Sequence, residues 1–514
     1  MTKTLRKIGL ATIMMFAVLF NADAQVGKKL IDRAKKTAQT KIEMKAQQSI
    51  NKAIDKSLDK AENAVGKALN SPKTGHSTGS SDDFSGETAK IEASTEIFVN
   101  KNRGSARGDG SIEAPLKDIQ KAIDNAPDGA VIRISEGNYL GNLDRGWIEM
   151  KDKYVHLEGG WNDDFTVRDP VRYITRMQPG IPQQGTVGRA LLLIESTKNK
   201  FASIIVDGIF FDLGLMMEYC PADPSDPRFG CPEGCETGRI MPVGNPPNKT
   251  VRLIGGKVAG DLIIRNCMFL NASVNGIIIM TNMGGNWEIY NNVFVSNLYA
   301  ACEINGGLNQ QTSAHQSTVD FHHNTVLFSW PTTKEMESMG YGYRFRNGAD
   351  HNVHHNLFGC NNFGALDAGW DDSNLPEANR KVLSAYENLF FMNKGDLVMA
   401  GTSGGMWLYV PAERFDEVDA LTGYENNRQL PSSSTFKDVI DPAYLKGYAS
   451  LEVITSQSYD ANSAANLYRE AHGLNKMGTS TTRVSMFGNR YNFDKALALW
   501  GAEPGYGAQK PICQ

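Results

Sequence analysis

The sequence contains no apolar run long enough to cross a membrane as a stable helix. Its N-terminal run, IGLATIMMFAVLF, has 13 residues, whereas a spanning helix needs about 20. Lys3, Arg6 and Lys7 precede this run, and the small-residue tripeptide ADA follows it. This pattern is typical of a secretory signal peptide over residues 1–24. We therefore expect an exported protein that resides in the periplasm, at the cell surface or in the medium.

The chain also lacks a strong charge of either sign. Its formal net charge is −4 over 514 residues, and a domain that binds nucleic acid usually carries a clear basic excess. The charge balance therefore offers no argument for a nucleic-acid partner. The 50 glycines and the modest aromatic content of 9% fit an all-β protein with many turns.

Cysteine is scarce, and no histidine stands at zinc-ligand spacing from the cysteines. Cys220, Cys231 and Cys235 lie in one loop-like stretch, where an exported protein is expected to form a disulfide. Cys513 is placed to pair with the loop cysteine that remains. The other three cysteines fall at periodic apolar positions and are predicted to be buried thiols: Cys267, Cys302 and Cys360.

Residues 25–70 differ from the rest of the chain in charge and periodicity. Residues 26–70 hold 11 Lys or Arg against 5 Asp or Glu, with apolar residues at helical spacing. The segment predicts a basic amphipathic helix that acts as a spacer, contacts a cell-surface partner or an anionic surface, or self-associates. A Ser/Gly-rich linker over residues 71–92 follows it.

A repeat of about 32 residues organises the main domain. Aligning LIIRNCMF, WEIYNNVF, VDFHHNTV, NVHHNLF and SAYENLF places five residues in one column, with steps of 25, 32, 32 and 32 residues: Cys267, Asn292, Asn324, Asn356 and Asn388. A fixed period of this size indicates a solenoid. Short runs of β-branched and aromatic residues between Asn and Gly exclude helical repeats, so each period is one coil of a β-helix.

The column also predicts which side chains point outward. Strand side chains alternate between the two faces, so positions two and four before the column face solvent and the position three before it faces the core. His322 and His354 are then stacked outward neighbours, in a row that also contains Arg265, Tyr290 and Tyr386. His323 and His355 belong to the turn, beside asparagines that tolerate left-handed backbone. We interpret the doubled histidines as an echo of the repeat and not as a metal site.

The start of this domain supports the same architecture. EIFV is followed by a GS…AP turn, a short helix over Leu116–Asn125 and the strand AVIRIS. This segment resembles the N-terminal cap of right-handed parallel β-helix proteins of the pectate-lyase-like superfamily. The expected fold is therefore an all-β, right-handed parallel β-helix over residues 93–450 with an N-terminal capping helix. Residues 451–514 are expected to form a C-terminal cap and tail.

A second strand in each coil contains the main cluster of charge. The predicted inward residues are Ile277, Cys302, Phe345, Leu366 and Val398, and the next outward positions are Ile278, Glu303, Arg346, Asp367 and Met399. Carboxylate, guanidinium and carboxylate would thus stack on adjacent coils, with Arg344 outward on the same strand as Arg346. An ionic ladder that keeps the strands in register is the alternative interpretation of this row.

Inserted segments occur at the same coils. SWPTTKEMESMGYG enters the Arg346 strand, while GGLNQQTSAHQ and GWDDSNLPEAN leave the Glu303 and Asp367 strands. They predict a groove beside the charged row, in which Trp330, Tyr341 and Trp370 offer flat surfaces for sugar rings. A separate group of outward rings adds further candidates for substrate contact: His322, His354 and Tyr290.

The resemblance implies a function on polysaccharide that lies in a groove along one sheet. For β-elimination on a uronate-containing chain, a cation neutralises the substrate carboxylate and a base removes the neighbouring proton. Arg346 or Arg344 performs one of these tasks, and Glu303 and Asp367 hold Ca²⁺ or orient the arginine. For inverting hydrolysis, Glu303 and Asp367 act as acid and base about 9.6 Å apart. The third interpretation is a surface protein that binds glycan without turnover. The sequence contains no GHG motif of polygalacturonases and no lyase signature.

Overall fold

The computed structural model describes these parts of the chain: residues 95–140, 147–178, 190–213, 218–219, 240–241, 252–272, 274–281, 284–305, 317–329, 340–346, 348–361, 364–368, 382–393, 395–400, 407–411, 416, 423–430 and 491–511. The predicted signal peptide, basic helix and linker lie outside these residues. So do the loop cysteines, Cys513, Trp330 and Trp370.

The described strands form three large sheets of nine strands each. Sheet A contains β1 (Glu96–Val99), β2 (Val131–Ser135), β5 (His156–Trp161), β8 (Ser203–Asp207), β13 (Asp261–Arg265), β16 (Asn286–Tyr290), β19 (Ser317–His322), β22 (Ala349–His354) and β25 (Val382–Tyr386). Sheet B contains β3 (Gly137–Leu140), β6 (Thr175–Gln178), β9 (Ile209–Asp212), β14 (Met268–Leu270), β17 (Val293–Val295), β20 (Thr325–Leu327), β23 (Leu357–Gly359), β26 (Leu389–Phe391) and β29 (Arg428–Gln429).

Sheet C contains β4 (Ile148–Lys151), β7 (Ala190–Ser196), β12 (Arg252–Val258), β15 (Asn275–Thr281), β18 (Ala300–Asn305), β21 (Tyr341–Phe345), β24 (Gly364–Ala368), β27 (Gly395–Ala400) and β28 (Trp407–Pro411). Its last pair, β27 and β28, is antiparallel. A separate antiparallel pair joins β10 (Glu218–Tyr219) to β11 (Ile240–Met241).

From β2 to β27 the chain visits the sheets in the repeating order A, B, C, and each strand pairs in parallel with the strand one coil away. This confirms the parallel β-helix, whose crossovers adopt the right-handed sense that parallel strands strongly prefer. The sequence predicted two strands per coil and missed the short strands of sheet B. Those strands follow the asparagine column directly, so the pattern merges them with sheet A.

A single short helix, α1 (Ile119–Asn125), packs against the first strands of the solenoid. The Asp118 side chain accepts a hydrogen bond from the Lys121 amide and caps its N-terminus. Ile119, Ala122 and Ile123 join the continuous core. The predicted capping helix is thus confirmed, but its predicted start at Leu116 was wrong by three residues because Leu116 belongs to the preceding turn, where its amide donates to the Phe98 carbonyl.

The asparagine column forms a continuous hydrogen-bonded ladder. The Asn324 side-chain oxygen accepts from the backbone and side-chain amides of Asn292, both at 3.0 Å. The Asn324 side-chain nitrogen donates to the Ile289 carbonyl and to Asn356. The ladder continues upward through Asn388 to Asn427. These amides satisfy backbone groups that the turns would otherwise leave unpaired in the interior.

The left-handed residue is the one before each ladder position. This position has φ between 51° and 54° on five coils: Asn266, Asn291, His323, His355 and Glu387. The sequence assigned the left-handed backbone to the asparagines of the column, which is a one-residue error. The consequence is that His323 and His355 occupy the tightest point of the turn, where a non-glycine backbone is strained.

The C-terminal segment lies along the outside of sheet B. The Ala508 amide donates to the Thr325 hydroxyl at 2.9 Å, and Trp500 stacks on Phe210 with ring centroids 6.0 Å apart. This segment contains a short helix, α2 (Phe493–Ala496), and one 3₁₀ turn (Leu497–Leu499). Residues 491–511 therefore bury part of the outer face of sheet B. Residues 451–490 and 512–514 lie outside the described residues, so the C-terminal cap over residues 451–514 stays a prediction.

The three periodic cysteines, Cys267, Cys302 and Cys360, are fully buried, as predicted. The helices in the described part of the chain are too short, and not apolar enough, to cross a membrane.

Candidate functional site

The charged row on sheet C has Arg344, and not Arg346, at its centre. The register pairs Glu303 with Arg344 and Arg344 with Asp367. The predicted central position of Arg346 was wrong by two residues. An insertion precedes β21 in the sequence, so the alternation there cannot be counted from the preceding coil. On the last coil, Asp367 pairs with Val398, and not with the predicted Met399.

The side chains of the row leave the outer face of the sheet, because their neighbours in sequence point inward. Cys302, Ile304, Tyr343 and Leu366 all belong to the core, whereas the three charged residues do not. The outward direction predicted for Glu303 and Asp367 is therefore correct. Their side chains are nevertheless only 7% and 2% exposed, and that of Arg344 is 1% exposed. The row therefore lies on the outer face of sheet C but is shielded from solvent.

Two arginines hold the carboxylates of this row. The Arg344 Nε donates to Asp367 Oδ2 at 2.7 Å, and its Nη1 donates to Glu303 Oε2 at 3.2 Å. Arg346, which is 13% exposed, donates from Nε to Glu303 Oε1 at 3.0 Å. Arg346 is thus the member of the cluster nearest to solvent, and Glu303 fixes one edge of its guanidinium.

These contacts decide the charge states of the cluster. Burial raises the pKa of Glu303, but the nearby Arg344 and Arg346 guanidinium groups outweigh it and hold that pKa below its usual range. For Arg344, burial lowers the pKa, but Asp367 and Glu303 outweigh it and raise that pKa above its usual value. Glu303 is therefore ionised and Arg344 protonated at neutral pH. Neither group is suited to exchange a proton with a substrate.

Tyr341 supports the charged row and does not offer a sugar platform. Its side chain is fully buried, and the Arg344 guanidinium lies 4.6 Å from the centre of its ring. A cation over an aromatic face is an attractive contact, so one face of the ring is already occupied. The prediction that Tyr341 stacks on substrate is therefore not compatible with this position. Trp330 and Trp370 lie outside the described residues.

Calcium does not fit between Glu303 and Asp367. Ca²⁺ requires six to eight oxygen ligands at about 2.3–2.6 Å. The Arg344 guanidinium already lies between these two carboxylates and supplies the positive charge that they require. The same guanidinium fills the space in which an inverting hydrolase holds its water molecule.

Three long connections join sheet C at these coils. The chain leaves β18 after Asn305, enters β21 at Tyr341 and leaves β24 after Ala368. The connections themselves are residues 306–316, 330–339 and 369–381, which lie outside the described part of the chain. They attach at the C-terminal ends of the strands that carry Glu303 and Asp367 and at the N-terminal end of the strand that carries Arg344.

A second outward row runs along sheet A on the same coils. The register places Tyr290, His322, His354 and Tyr386 directly over one another. Their rings stack face to face, with centroids 4.8, 5.0 and 4.9 Å apart and interplanar angles of 12° or less. The stacking predicted for His322 and His354 is thus confirmed. The rings present their edges outward, so their faces are not open to a sugar ring, as substrate stacking by Tyr290, His322 and His354 would require.

Burial is the first cause of a pKa shift in this row. Burial, opposed by Asp320 and assisted by the neighbouring His354 and His323, lowers the pKa of His322 to about 4. His322 is consequently neutral at physiological pH. Asp320 lies at the outward position two residues before His322. The alternation of side chains in the sequence was therefore sufficient to predict that Asp320 is a neighbour of the ring row.

The earlier coils of sheet A carry an ionic network. His156, Glu158 and Asp207 approach one another closely enough to suggest metal ligands. Arg168 Nη2 and Arg265 Nε each lie 2.7 Å from a different Asp207 oxygen. Both oxygens of the carboxylate are therefore occupied by guanidinium groups, and this cluster is an ion-pair network and not a metal centre.

No protein-family model matches the chain, and no curated protein matches its sequence. Among solved structures, it is similar to a pectin methylesterase variant in complex with a hexasaccharide, at 11% identity, a TM-score of 0.27 and coverage of 66% of this chain and 96% of the other. It is also similar to a rhamnogalacturonan lyase, at 10% identity, a TM-score of 0.24 and coverage of 74% and 99%.

A third similar structure is an exopolygalacturonase of family 28 from Yersinia enterocolitica, at 13% identity and a TM-score of 0.23, with coverage of 65% of this chain and 59% of the other. All three TM-scores are too low to support an argument about function. The architecture is established by the sheets themselves. Their parallel register on successive coils shows that the chain is a parallel β-helix protein.

Proposed function

We propose that this protein is an exported, polysaccharide-active β-helix protein that acts as a lyase on an acidic, uronate-containing chain. The observation that carries the proposal is the Arg346 guanidinium, which Glu303 holds by one edge next to a buried ion-pair row. A positioned guanidinium is well suited to bind a carboxylate with two parallel hydrogen bonds. The insertions at the ends of these strands are the proposed walls of a groove.

Elimination is the cleavage reaction that best suits this charge arrangement. A uronate loses the proton next to its carboxylate more readily when a cation neutralises that carboxylate, and Arg346 is the proposed source of the cation. The proton passes to a solvent water molecule, its electron pair forms the new carbon–carbon double bond, and the glycosidic carbon–oxygen bond breaks while the leaving oxygen takes up a proton from water. Glu303 acts as its positioning residue, and Arg344 keeps Glu303 ionised and in place. Inverting hydrolysis is disfavoured, because Arg344 bridges the two carboxylates and Glu303 has a lowered pKa.

Glycan binding without turnover is the second candidate function. It is favoured by the pairing of both carboxylates with arginines, since ionised, hydrogen-bonded carboxylates are weak bases. Arg344, with its raised pKa, does not supply a base either. In this case Arg346 holds a substrate carboxylate, but no described member of the row removes the neighbouring proton.

The decisive experiment incubates the purified protein with acidic polysaccharides, with and without Ca²⁺, and records the absorbance of the unsaturated product. The lyase proposal predicts product from the native protein and about a 10²-fold or greater loss of kcat/KM in Arg346→Ala, because a donor to developing negative charge is removed. Arg346→Lys retains the charge but not the planar fork, so intermediate activity is expected.

Arg252→Ala is the matched control, because Arg252 is another partly exposed arginine in sheet C, three strands away from β21. It should leave both binding and turnover unchanged. Binding that Arg346→Ala abolishes, with no product from the native protein, would establish the second candidate. Neither binding nor product with any acidic polysaccharide would refute both.

A further inference from the structure

A histidine occupies an inward position of sheet A that is apolar on the neighbouring coils. The register places His351 between Val319 and Leu383, and the histidine is only 1% exposed. Its ring packs edge to face against Tyr343 and Phe345 of sheet C, with centroids 5.8 and 5.4 Å away. Buried polar groups require hydrogen-bond partners, so the partners of this ring indicate why a histidine stands here.

Both ring nitrogens of His351 are hydrogen-bonded, and one of the partners is the backbone of Arg346. Nε2 lies 2.9 Å from the Arg346 carbonyl oxygen, and Nδ1 lies 2.7 Å from the Tyr343 hydroxyl. A carbonyl oxygen only accepts hydrogen bonds, so Nε2 carries the hydrogen, and a neutral imidazole then has a lone pair on Nδ1. Burial raises the pKa of Tyr343 well above its usual value, so this hydroxyl keeps its hydrogen and donates to Nδ1. The tyrosine thereby fixes the tautomer in which His351 donates to Arg346.

Arg346 lies just past the end of its strand. The register of β18 with β21 ends at the pair of Ile304 and Phe345. The hydrogen bond from His351 therefore holds the backbone of Arg346 at a point beyond the last residue pair of the ladder. At the other end of the side chain, the Nε of Arg346 donates to Glu303 Oε1 at 3.0 Å. The arginine is thus held both at its backbone and at its guanidinium.

We propose that His351 is a positioning residue for Arg346, which it fixes from inside the solenoid so that the guanidinium meets a substrate carboxylate in one orientation. This inference rests on the proposed role of Arg346. Two parallel hydrogen bonds to a carboxylate require a well-oriented guanidinium plane, and orientation achieved before binding lowers the entropy lost in the complex. His351 itself does not touch the substrate, because it lies on the inner face of sheet A.

The first test compares His351→Leu with the native protein on the acidic polysaccharide that the native protein cleaves. We expect kcat to fall about 10-fold or more, because a small displacement of a group that acts in the transition state is costly. KM should rise less, since the long arginine side chain still reaches the carboxylate. His351→Gln retains one donor and one acceptor and should recover most of kcat. Phe211→Leu, which removes a buried ring on an earlier coil, is the control and should leave both constants unchanged.

Nitrogen-15 magnetic resonance of the arginine Nε–H groups tests the positioning without any substrate. The Arg346 signal is assigned by its absence in Arg346→Lys. Its hydrogen should exchange with water about 5-fold to 10-fold faster in His351→Leu and in Tyr343→Phe, the effect of losing one hydrogen bond of ordinary strength. Arg265 is the internal reference, because its Nε also donates to a carboxylate, that of Asp207 on sheet A, at 2.7 Å. Exchange at Arg265 should stay the same.

Unchanged exchange at Arg346 in a folded His351→Leu protein would overturn the proposal, and so would equal effects of His351→Leu and Phe211→Leu. Tyr343→Phe removes a single oxygen atom and decides the question in the same way if His351→Leu does not fold. Faster exchange at Arg346 alone, in a protein whose native form neither binds nor cleaves any acidic polysaccharide, would support the positioning by His351 and refute the proposed function.

Discussion

The same coils of this solenoid carry two outward rows of very different character. On sheet A, Tyr290, His322 and His354 stack as partly exposed rings. On sheet C, the strands of those coils carry Glu303, Arg344 and Asp367, which are buried and joined by ion pairs. Both rows obey the same rule of parallel stacking, in which each residue meets its equivalents about 4.8 Å above and below.

The difference shows which side chains can occupy equivalent positions on neighbouring coils of a parallel stack. Neutral flat rings tolerate identical neighbours, because stacking two of them is attractive. Charged groups tolerate only neighbours of opposite sign, since like charges directly opposite each other are destabilising. The row on sheet C therefore alternates carboxylate, guanidinium and carboxylate. Burial makes the alternation of charge obligatory on sheet C. The ring row is partly exposed and needs no such alternation.

The largest difference in stability between the two rows is expected for Arg344→Ala. This change leaves two buried carboxylates without their shared cation, which should cost about 3–5 kcal/mol of unfolding free energy. Urea unfolding followed by circular dichroism measures it. His322→Ala, on the same coil but in the ring row, is the control and should cost no more than about 1.5 kcal/mol. Equal losses in both variants would contradict the distinction between the rows.

Acid should affect the buried row through Glu303. The folded-state pKa of Glu303 is below its ordinary value of 4.5, so its contribution is fully present above that value and is lost as the pH falls through the folded pKa. The melting temperature should therefore decline below about pH 4.5. Glu303→Gln should make this decline shallower. Glu288→Gln, on the exposed face of the same coil, should keep the profile of the native protein.

Replacing one of the stacked rings should reduce the unfolding free energy only slightly. Tyr290→Leu removes the stacking of the tyrosine on His322 and the hydrogen bond from Arg265 Nη1 to the Tyr290 hydroxyl, which is 2.9 Å long. We expect a loss of about 0.5–1.5 kcal/mol in thermal unfolding. Tyr290→Phe separates the contribution of stacking from that of the hydrogen bond, because it keeps the ring and removes the hydroxyl. A loss in Tyr290→Phe as large as in Tyr290→Leu would show that stacking contributes nothing.

Repetition explains why much of this fold could be read from the sequence. The position three residues before the column was predicted to face the core, and all five residues at that position are fully buried: Ile264, Ile289, Phe321, Val353 and Ala385. The asparagine ladder and the stacked histidines follow from the same column. Where the period is interrupted, the prediction failed. Arg346 was predicted at the centre of the charged row in place of Arg344, because the insertion before β21 prevents the alternation from being counted from the preceding coil.

The coil, its inward and outward faces and the stacking of equivalent residues could be predicted from the amino-acid sequence, because they depend on periodicity and short-range backbone geometry. Three features became evident only in three dimensions: the burial of Glu303, Arg344 and Asp367, the position of residues 491–511 along sheet B and the approach of His354 Nδ1 to His355 Nδ1. Those features depend on contacts between segments that do not repeat, or on exact ring orientation at a turn. Neither leaves a periodic signal in the chain.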